Sequence, residues 1–341
     1  MRSFPAERAP FLRGFAREFS VNGILFAVIA LVGAACLTAG ISEKVVLPAV
    51  AFLGLIVPTV RRVLFRSSEN TVQRPTIQTS ITPADVQVQA HLLFISALAK
   101  VKSGDLSGER THYSALIGLA NAPRHLVALA FYNRAIAAVE SGDPGSAMSD
   151  YSEVITLADA PTRIVAMALY NRGILHAQSG DYVAEHADYS RVISMQSVEN
   201  AILADALNNR GVARGEKGDY ERSISDFTAA ISVLNGTMIG QSAYAYFNRG
   251  ATKAARGDHS GAIADYSFLI SAAGAPRPLF AMALYNRSFA FRAIGDTRGA
   301  IRDLETLIST YDAPEHLVAS ARAILADPTT FTTKAWVLVA G

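Results

Sequence analysis

Cysteine and recognisable catalytic motifs are what this sequence lacks most clearly. Its 341 residues include one cysteine, Cys36, so neither an intramolecular disulfide framework nor a thiolate metal site can form. The phosphate-binding motif G-x-x-x-x-G-K-[ST], the nucleophile motif G-x-S-x-G and the zinc motif H-E-x-x-H are missing. The histidines are scattered, and His176 and His186 lie on different predicted helices without a third ligand. We therefore expect no enzyme, no cofactor, no metal and no small-molecule substrate.

The chain also lacks a strong excess of one sign of charge. The formal net charge is +2, with nine basic and four acidic residues in 1–80 against 21 and 25 in 81–327. A protein that follows a nucleic-acid backbone needs a basic stripe, which the mildly acidic larger part does not offer. The sequence therefore predicts no nucleic-acid partner.

Two segments near the amino terminus lack charge altogether. Residues 21–41 are uncharged and, as a helix of 21 residues, reach roughly 32 Å, enough to cross a hydrocarbon core. Residues 45–60 are also uncharged but reach only about 24 Å and contain Pro48 and Pro58. We predict a transmembrane hairpin over 21–65, with spans at 21–41 and about 45–63. The alternatives are one span followed by an interfacial segment, or a cleaved signal peptide with an unusually long leader.

The basic residues around this hairpin predict its orientation. Loop arginines and lysines favour the cytoplasmic side, and only Lys44 lies in the loop between the two segments. The arginines on either side of the hairpin are Arg2, Arg8, Arg13 and Arg17 before it and Arg61, Arg62, Arg66 and Arg74 after it. We expect a basic cytoplasmic amino terminus (1–20), a linker (66–84), and both chain termini in the cytoplasm.

An Asn-Arg pair recurs five times in the rest of the chain. The pairs begin at Asn133, Asn171, Asn209, Asn248 and Asn286, at intervals of 38, 38, 39 and 38 residues. A Gly-Asp pair follows nine residues after each Asn, and an earlier Gly104-Asp105 extends the series upstream. Since Gly ends helices and Asp begins them, each period contains two helices. We predict an all-α solenoid of about six helix-turn-helix repeats (85–312), a capping helix (313–327) and an apolar tail (328–341) that packs on the cap or serves as a docking peptide.

These repeats resemble the tetratricopeptide repeat family. The resemblance rests on Asn-Arg-Gly, on Gly-Asp, on a small residue five positions after that Gly, and on an Asp-aromatic pair such as Asp188-Tyr189. Here the period exceeds the family's 34 residues by about four, and Arg replaces a usual leucine of the first helix. The resemblance implies a superhelix whose first helices line a concave surface that binds a protein partner.

Each Arg of the Asn-Arg pairs precedes an Asp by sixteen residues. The pairs are Arg134 with Asp150, Arg172 with Asp188, Arg210 with Asp226, Arg249 with Asp265, and Arg287 with Asp303. The first repeat lacks both members, because Ser96 and His112 occupy the two positions. This correlation indicates bidentate ion pairs between the two helices of a repeat. The functional alternative is a row of anion-binding arginines.

The Asn of each pair is unfavourable in the middle of a helix, so its repetition needs a reason. The resemblance implies that Asn133, Asn171, Asn209, Asn248 and Asn286 form a solvent-facing row that hydrogen-bonds the main chain of an extended peptide. One turn earlier stand Leu129, Met167, Asp205, Tyr244 and Met282, and three residues later stand Ile136, Ile174, Val212, Ala251 and Phe289. Of these, Met167, Tyr244 and Met282 are the predicted contacts for a ligand's side chains. The alternatives are inter-helix hydrogen bonds for the amides and a core between repeats for the apolar positions.

These patterns together favour a membrane-anchored scaffold that binds an extended segment of a partner protein. The alternative is a membrane-embedded subunit of a transport or secretion complex, in which the repeats act as a docking module. Gly23, Gly33 and Gly40 in the first span would allow the close helix contacts that this alternative needs.

Overall fold

The computed structural model describes residues 82–327 apart from 235–238, together with Thr329 and Phe331. The described residues form thirteen α-helices, which confirms the predicted all-α, tetratricopeptide-like solenoid. The helices are α1 Pro83–Ser103, α2 Leu106–Ile117, α3 Arg124–Glu140, α4 Pro144–Thr156, α5 Thr162–Ser179, α6 Tyr182–Ser194, α7 Asn200–Glu216, α8 Tyr220–Leu234, α9 Ile239–Ala255, α10 His259–Ser271, α11 Arg277–Ala293, α12 Thr297–Ser309 and α13 Glu315–Ala326.

The predicted membrane hairpin lies outside the described residues, as do the basic amino terminus, most of the linker and most of the tail. Among the helices listed above, none is long and apolar enough to cross a membrane. Residues from Gln87 onward form one compact unit. The described part of the other unit is the short stretch 82–86, where the main-chain N–H of Thr82 donates to the Asp85 carboxylate (2.9 Å) at the start of α1.

The recurrent Gly-Asp pair forms the turn inside each hairpin. Gly180 ends α5 with φ of +78°, and the Asp181 carboxylate then accepts a hydrogen bond from the main-chain N–H of Ala184 (3.1 Å) at the start of α6. Glycine tolerates this left-handed conformation without strain, and a capping aspartate satisfies one of the free N–H groups of the next helix. Prolines such as Pro161 occupy the N-cap position of several first helices, where no side chain makes a capping hydrogen bond.

The first helices of successive hairpins form the inner layer of the solenoid. From α3 to α13, each first helix contacts the first helix of the next hairpin, whereas the second helices pack mainly against first helices. In a curved stack of hairpins, the layer whose helices touch the corresponding helices of the next hairpin lies on the side of tighter curvature. The odd-numbered helices from α3 to α13 therefore line the concave face, which we call the inner face.

The core between the layers combines small residues with large aromatic ones. Each second helix places at least one fully buried large side chain against the first helices, and these include Tyr113, Tyr151, Tyr189, Phe227, Tyr266 and Leu304. Alanines on the facing first helices, such as Ala168 and Ala206, are also fully buried. Small residues let the helix axes approach closely enough for the rings to be enclosed.

Candidate functional site

In each of the five repeats, the predicted Arg and Asp form a bidentate ion pair. The Arg172 Nε donates to Asp188 Oδ2 (2.8 Å) and its Nη2 donates to Oδ1 (2.7 Å). The same two bonds recur between Arg134 and Asp150, Arg210 and Asp226, Arg249 and Asp265, and Arg287 and Asp303. The carboxylates are buried, with Asp188 exposed by only 5%. Because each guanidinium faces a buried carboxylate, the geometry favours the structural role over anion binding.

A third bond from each arginine reaches the preceding repeat. The Nη1 of Arg172 donates to the hydroxyl of Ser152 on α4 (2.8 Å). The equivalent acceptors for the other arginines are Ser114, Ser190, Thr228 and Ser267. Each arginine therefore joins the two helices of its own hairpin to the hairpin before it. The sequence contains a pattern that indicates this contact: a hydroxyl residue follows the Asp-aromatic pair in repeats two to five, as in Asp188-Tyr189-Ser190.

Polar residues on the first helices add a second cation or a histidine to some of these pairs. Arg214 Nη1 lies 2.7 Å from Asp226, and Lys253 Nζ lies 2.8 Å from Asp265. In the α5–α6 hairpin the corresponding residue is His176, whose Nε2 lies 3.8 Å from Asp188. These residues stand five positions after the asparagine of their hairpins, and their contacts with the buried Asp explain why this position is polar here.

In the central hairpins of the solenoid, the asparagine amides face the preceding hairpin and not the solvent. The Asn171 Nδ2 donates to the hydroxyls of Tyr132 (3.0 Å) and Tyr151 (3.4 Å), and the Asn209 Nδ2 donates to Tyr170 (3.1 Å). Asn171 and Asn209 are exposed by 5% and 3%. For these residues the expectation of a solvent-facing amide is wrong, because tyrosine hydroxyls of the neighbouring hairpin supply acceptors inside the interface.

The remaining three asparagines show the same orientation with different exposure. Asn248 is fully buried and donates to the side-chain oxygen of Asn208 (3.0 Å), so it also does not face solvent. Asn133 and Asn286, near the two ends, are only partly buried and donate to Tyr113 (3.1 Å) and Tyr266 (3.4 Å). Binding of a ligand's main chain by this row stays a prediction, and the amides of Asn133 and Asn286 are the most accessible ones for it.

The position one turn before each asparagine is partly exposed in four of the five hairpins. Leu129, Met167, Tyr244 and Met282 occupy it there, and Leu129, Tyr244 and Met282 also pack against the hydrophobic core. The fifth member of the row, Asp205, is only 6% exposed, and burial raises the pKa of its carboxyl to about 7. We call these five residues the inner row.

The apolar positions three residues after the asparagines belong mainly to the core. Ile136, Ile174, Val212 and Ala251 are buried, which fits the alternative of packing between repeats. Phe289 is partly buried and stacks on Phe331, with ring centroids 4.7 Å apart. Phe331 of the predicted tail therefore packs on the last hairpin.

Comparison with known proteins identifies the fold. Family models described as tetratricopeptide repeat match residues 204–233 and 282–313, which correspond to the hairpins α7–α8 and α11–α12. No curated protein sequence matches this chain significantly.

Two solved structures share the fold at low sequence identity. A tetratricopeptide repeat protein from Parabacteroides merdae ATCC 43184 is 16% identical over 72% of this chain and 90% of that protein, with a TM-score of 0.53. PilW, a widely conserved type IV pilus biogenesis factor, is 14% identical over 68% of this chain and 97% of that protein, with a TM-score of 0.51. At these identities the likeness concerns the fold alone. The chain therefore contains tetratricopeptide repeats in an α-solenoid, a type of domain that generally binds protein partners.

Proposed function

We propose that this protein is a membrane-anchored scaffold that binds an extended segment of a partner protein on its inner face. Residues 21–65 would hold it in the membrane as two spans, with both termini and the repeats in the cytoplasm. The period of about 38 residues would make the repeats a longer variant of the family's 34-residue unit. The observation that supports the proposal is the partial exposure of four apolar residues of the inner row, Leu129, Met167, Tyr244 and Met282, on first helices of the hairpins.

The spacing of the inner row suits an extended chain. Packed helices lie about 8–10 Å apart, and an extended peptide rises about 3.3 Å per residue. A bound segment would therefore meet successive members of the inner row with about every third residue. Apolar ligand residues would match the four partly exposed members, whereas Asp205 at the centre is buried and would not contact the ligand. The expected ligand is thus an extended peptide with apolar residues at about every third position.

The asparagines have a supporting part in this proposal. Asn171, Asn209 and Asn248 tie consecutive hairpins together beneath the inner row, so they set its spacing without touching the ligand. Asn133 and Asn286, near the two ends, would hydrogen-bond the main chain of the bound peptide, as the resemblance implies.

The test is capture of the partner by the full chain in its membrane. Cross-linking followed by pull-down should recover a partner with the parent and lose it with Met167→Lys combined with Tyr244→Lys, because two charges would then stand in the apolar row. Val183→Lys is the matched control, since Val183 is 78% exposed on the second helix α6. Equal capture by all three proteins would refute the proposed binding surface.

Exchange of the hairpin tests the other half of the proposal. Replacing residues 21–65 by an unrelated two-span anchor should leave capture unchanged if the hairpin is only an anchor. Loss of capture would favour the alternative of a membrane-embedded subunit of a transport or secretion complex, whose partner contacts lie within the bilayer. Periplasmic or extracellular labelling of a tag at either terminus would overturn the proposed topology.

A further inference from the structure

A buried glutamate distinguishes the first hairpin from the later ones. Glu109 on α2 is only 5% exposed and lies five residues after the turn glycine Gly104. Four of the five later hairpins bury a small residue at this place, namely Ala147, Ser223, Ala262 and Ala300. In the α5–α6 hairpin the residue is Glu185, which is partly exposed. The first hairpin therefore buries a carboxyl group where most of the others bury a small side chain.

The repeat register shows which elements enclose this carboxyl group. At the equivalent position, the Ser223 hydroxyl donates to the main-chain oxygen of Gly211 on its own first helix (2.7 Å). It also lies 3.4 Å from the hydroxyl of Thr252 on the next first helix. The corresponding residues around the first hairpin are Ala97 on α1 and Ala137 on α3, which are both buried. Their methyl groups donate no hydrogen bond, so a carboxylate between them is desolvated without compensation.

The Glu109 carboxyl group has no hydrogen bond or ion pair among the described residues. The ionisable group that acts on it from α3 is Glu140, which carries the same charge, and on α2 itself Tyr113 lies one turn further along. Burial, and to a smaller extent the charge of Glu140, raises the pKa of Glu109 from 4.5 to about 7. The group is therefore mainly neutral at pH 5 and mainly charged at pH 8.

The cations of α1 and α2 make other contacts or face solvent. Lys102 is exposed, and the Nδ1 atom of His112 lies 2.7 Å from a main-chain oxygen of its own helix. The two cations in ion pairs are Lys100 with Asp105 (2.9 Å) and Arg110 with Asp143 (3.2 Å). Within the described part of the chain, no cation therefore offsets the charge of an ionised Glu109.

The first hairpin also lacks the polar tie between helices that the later repeats share. Ser96 and His112 occupy the places of the buried Arg and Asp, so no ion pair joins α1 to α2 there. An apolar cluster that includes Tyr113 and Leu116 of α2 and Leu126 of α3 holds the hairpin against its neighbour. A charge introduced at Glu109 thus acts on a hairpin that depends mainly on apolar contacts.

We propose that the α1–α2 hairpin is a pH-sensitive end of the solenoid, closed against α3 while Glu109 is protonated and opening locally when Glu109 ionises beside Glu140. Opening brings the carboxylate into water and uncovers Leu126 on α3. The proton passes to solvent, so no other reactant takes part. This device lies outside the inner row and does not depend on the identity of a bound partner.

The direction of the pH effect follows from the two protonation states. The closed hairpin binds the proton of Glu109 more tightly than the open one, because the pKa of the carboxyl is about 7 when buried and 4.5 when unperturbed. The closed form is therefore favoured at low pH and loses stability as the pH rises from 4.5 through 7. Complete ionisation would shift the opening equilibrium by up to roughly 300-fold, and a tenfold shift between pH 5 and pH 8 is a cautious expectation.

Hydrogen exchange of the full chain in detergent tests the proposal at pH 5 and pH 8. The rates are corrected for the intrinsic pH dependence of amide exchange, under conditions in which reclosing is faster than exchange. The protection of α1 and α2 should be at least about tenfold lower at pH 8. The α11–α12 hairpin, held by Arg287 and Asp303, is the internal reference and should keep its protection. A parent protein in which both hairpins respond equally to pH would overturn the proposal.

Substitution of the glutamate identifies the group responsible. Glu109→Gln removes the charge at nearly constant size, so α1 and α2 should be as protected at pH 8 as at pH 5. Glu109→Ala introduces the residue of the later hairpins and should give the same result, which keeps the test valid if the glutamine amide disturbs packing. Glu140→Gln should reduce the pH effect without abolishing it, and Glu153→Gln, at an exposed position of α4, is the control that should behave as the parent. Opening at pH 8 that persists in both Glu109 variants would refute the proposal.

Discussion

Removal of one arginine should cost more stability where no second cation remains. In Arg172→Leu the buried Asp188 keeps only His176, whose Nε2 is 3.8 Å away. Breaking a buried ion pair from one side typically costs about 3–5 kcal/mol, because the remaining charge stays desolvated. Asp188 is 5% exposed, so we expect the loss to fall in that range near pH 8.

Arg210→Leu in the next hairpin is the matched comparison. Asp226 retains Arg214, whose Nη1 lies 2.7 Å from the carboxylate, so its charge remains paired. The expected loss is that of the hydrogen bonds to a charged group alone, about 1.5–3 kcal/mol. The two variants change the same residue type at the same place in the repeat, and they differ mainly in this second cation.

Hydrogen exchange is the appropriate assay, because long repeat arrays do not unfold in a single two-state step. Arg172→Leu should lower the protection of α5 and α6 more than Arg210→Leu lowers that of α7 and α8. Adding Asp188→Leu to Arg172→Leu should restore part of the loss, since an apolar pair replaces the buried ion pair. Equal losses in the two hairpins, or additive losses in the double variant, would refute the reasoning.

Three further changes test the interior of the solenoid. Asn209→Ala should lower the melting temperature, at a cost of about 1–3 kcal/mol, because the buried hydroxyl of Tyr170 loses its amide partner; an unchanged melting temperature would mean that the amide is not structural. In thermal melts Asp205→Asn should stabilise the protein at pH 8 and have little effect at pH 4. Burial raises the pKa of the Asp205 carboxyl from 3.8 to about 7, so the folded protein loses stability as the pH rises through that range. The loss that the substitution removes is up to roughly 4 kcal/mol. Gly211→Ala should cost about 1–3 kcal/mol in denaturant unfolding, because its Cβ would stand 2.7 Å from the Phe227 ring, whereas Gly145→Ala, with nothing nearer than 3.9 Å, should be close to neutral.

The Arg-Asp pairs could be predicted from the sequence because both members recur with one spacing and are absent together in the first repeat. The repeat supplies its own internal comparison, so a contact between two helices appears as a correlation within one chain. The contact with Ser152 and its equivalents recurs equally regularly. The pattern alone does not identify this contact, because serine and threonine on a helix surface have many ordinary explanations.

The burial of the asparagines could not be predicted in the same way. Whether an amide faces a ligand or a neighbouring hairpin depends on the rotation of one helix against the next. That rotation places Tyr132, thirty-nine residues earlier, beside Asn171. Neither the helical period nor the resemblance fixes it, because the first helix has polar and apolar residues on several sides.

The backbone conformation of the turns between hairpins could not be predicted from the sequence either. Left-handed backbone recurs there at Asn121, Asp159, Ser197 and Asp312, with φ close to +60°, although none of these residues is glycine. Asn and Asp tolerate this conformation better than most residues, but Ser197 does not favour it. The packing of the flanking helices therefore imposes the turn, and among the described left-handed positions between hairpins Gly274 alone is a glycine.

The hairpin α7–α8 shows which property of the asparagine row the fold depends on. In this hairpin Asn208 stands where α3 and α5 have Tyr132 and Tyr170, so the aromatic hydroxyl is absent. The next amide, of Asn248, nevertheless remains fully buried and donates to the Asn208 side-chain oxygen (3.0 Å). The acceptor has changed from a phenol to an amide while the donor has kept its place. In the central helices α5, α7 and α9 the common feature is therefore a buried amide donor that ties the helix to the first helix before it. A requirement of this kind lies within the interface between hairpins and needs no ligand.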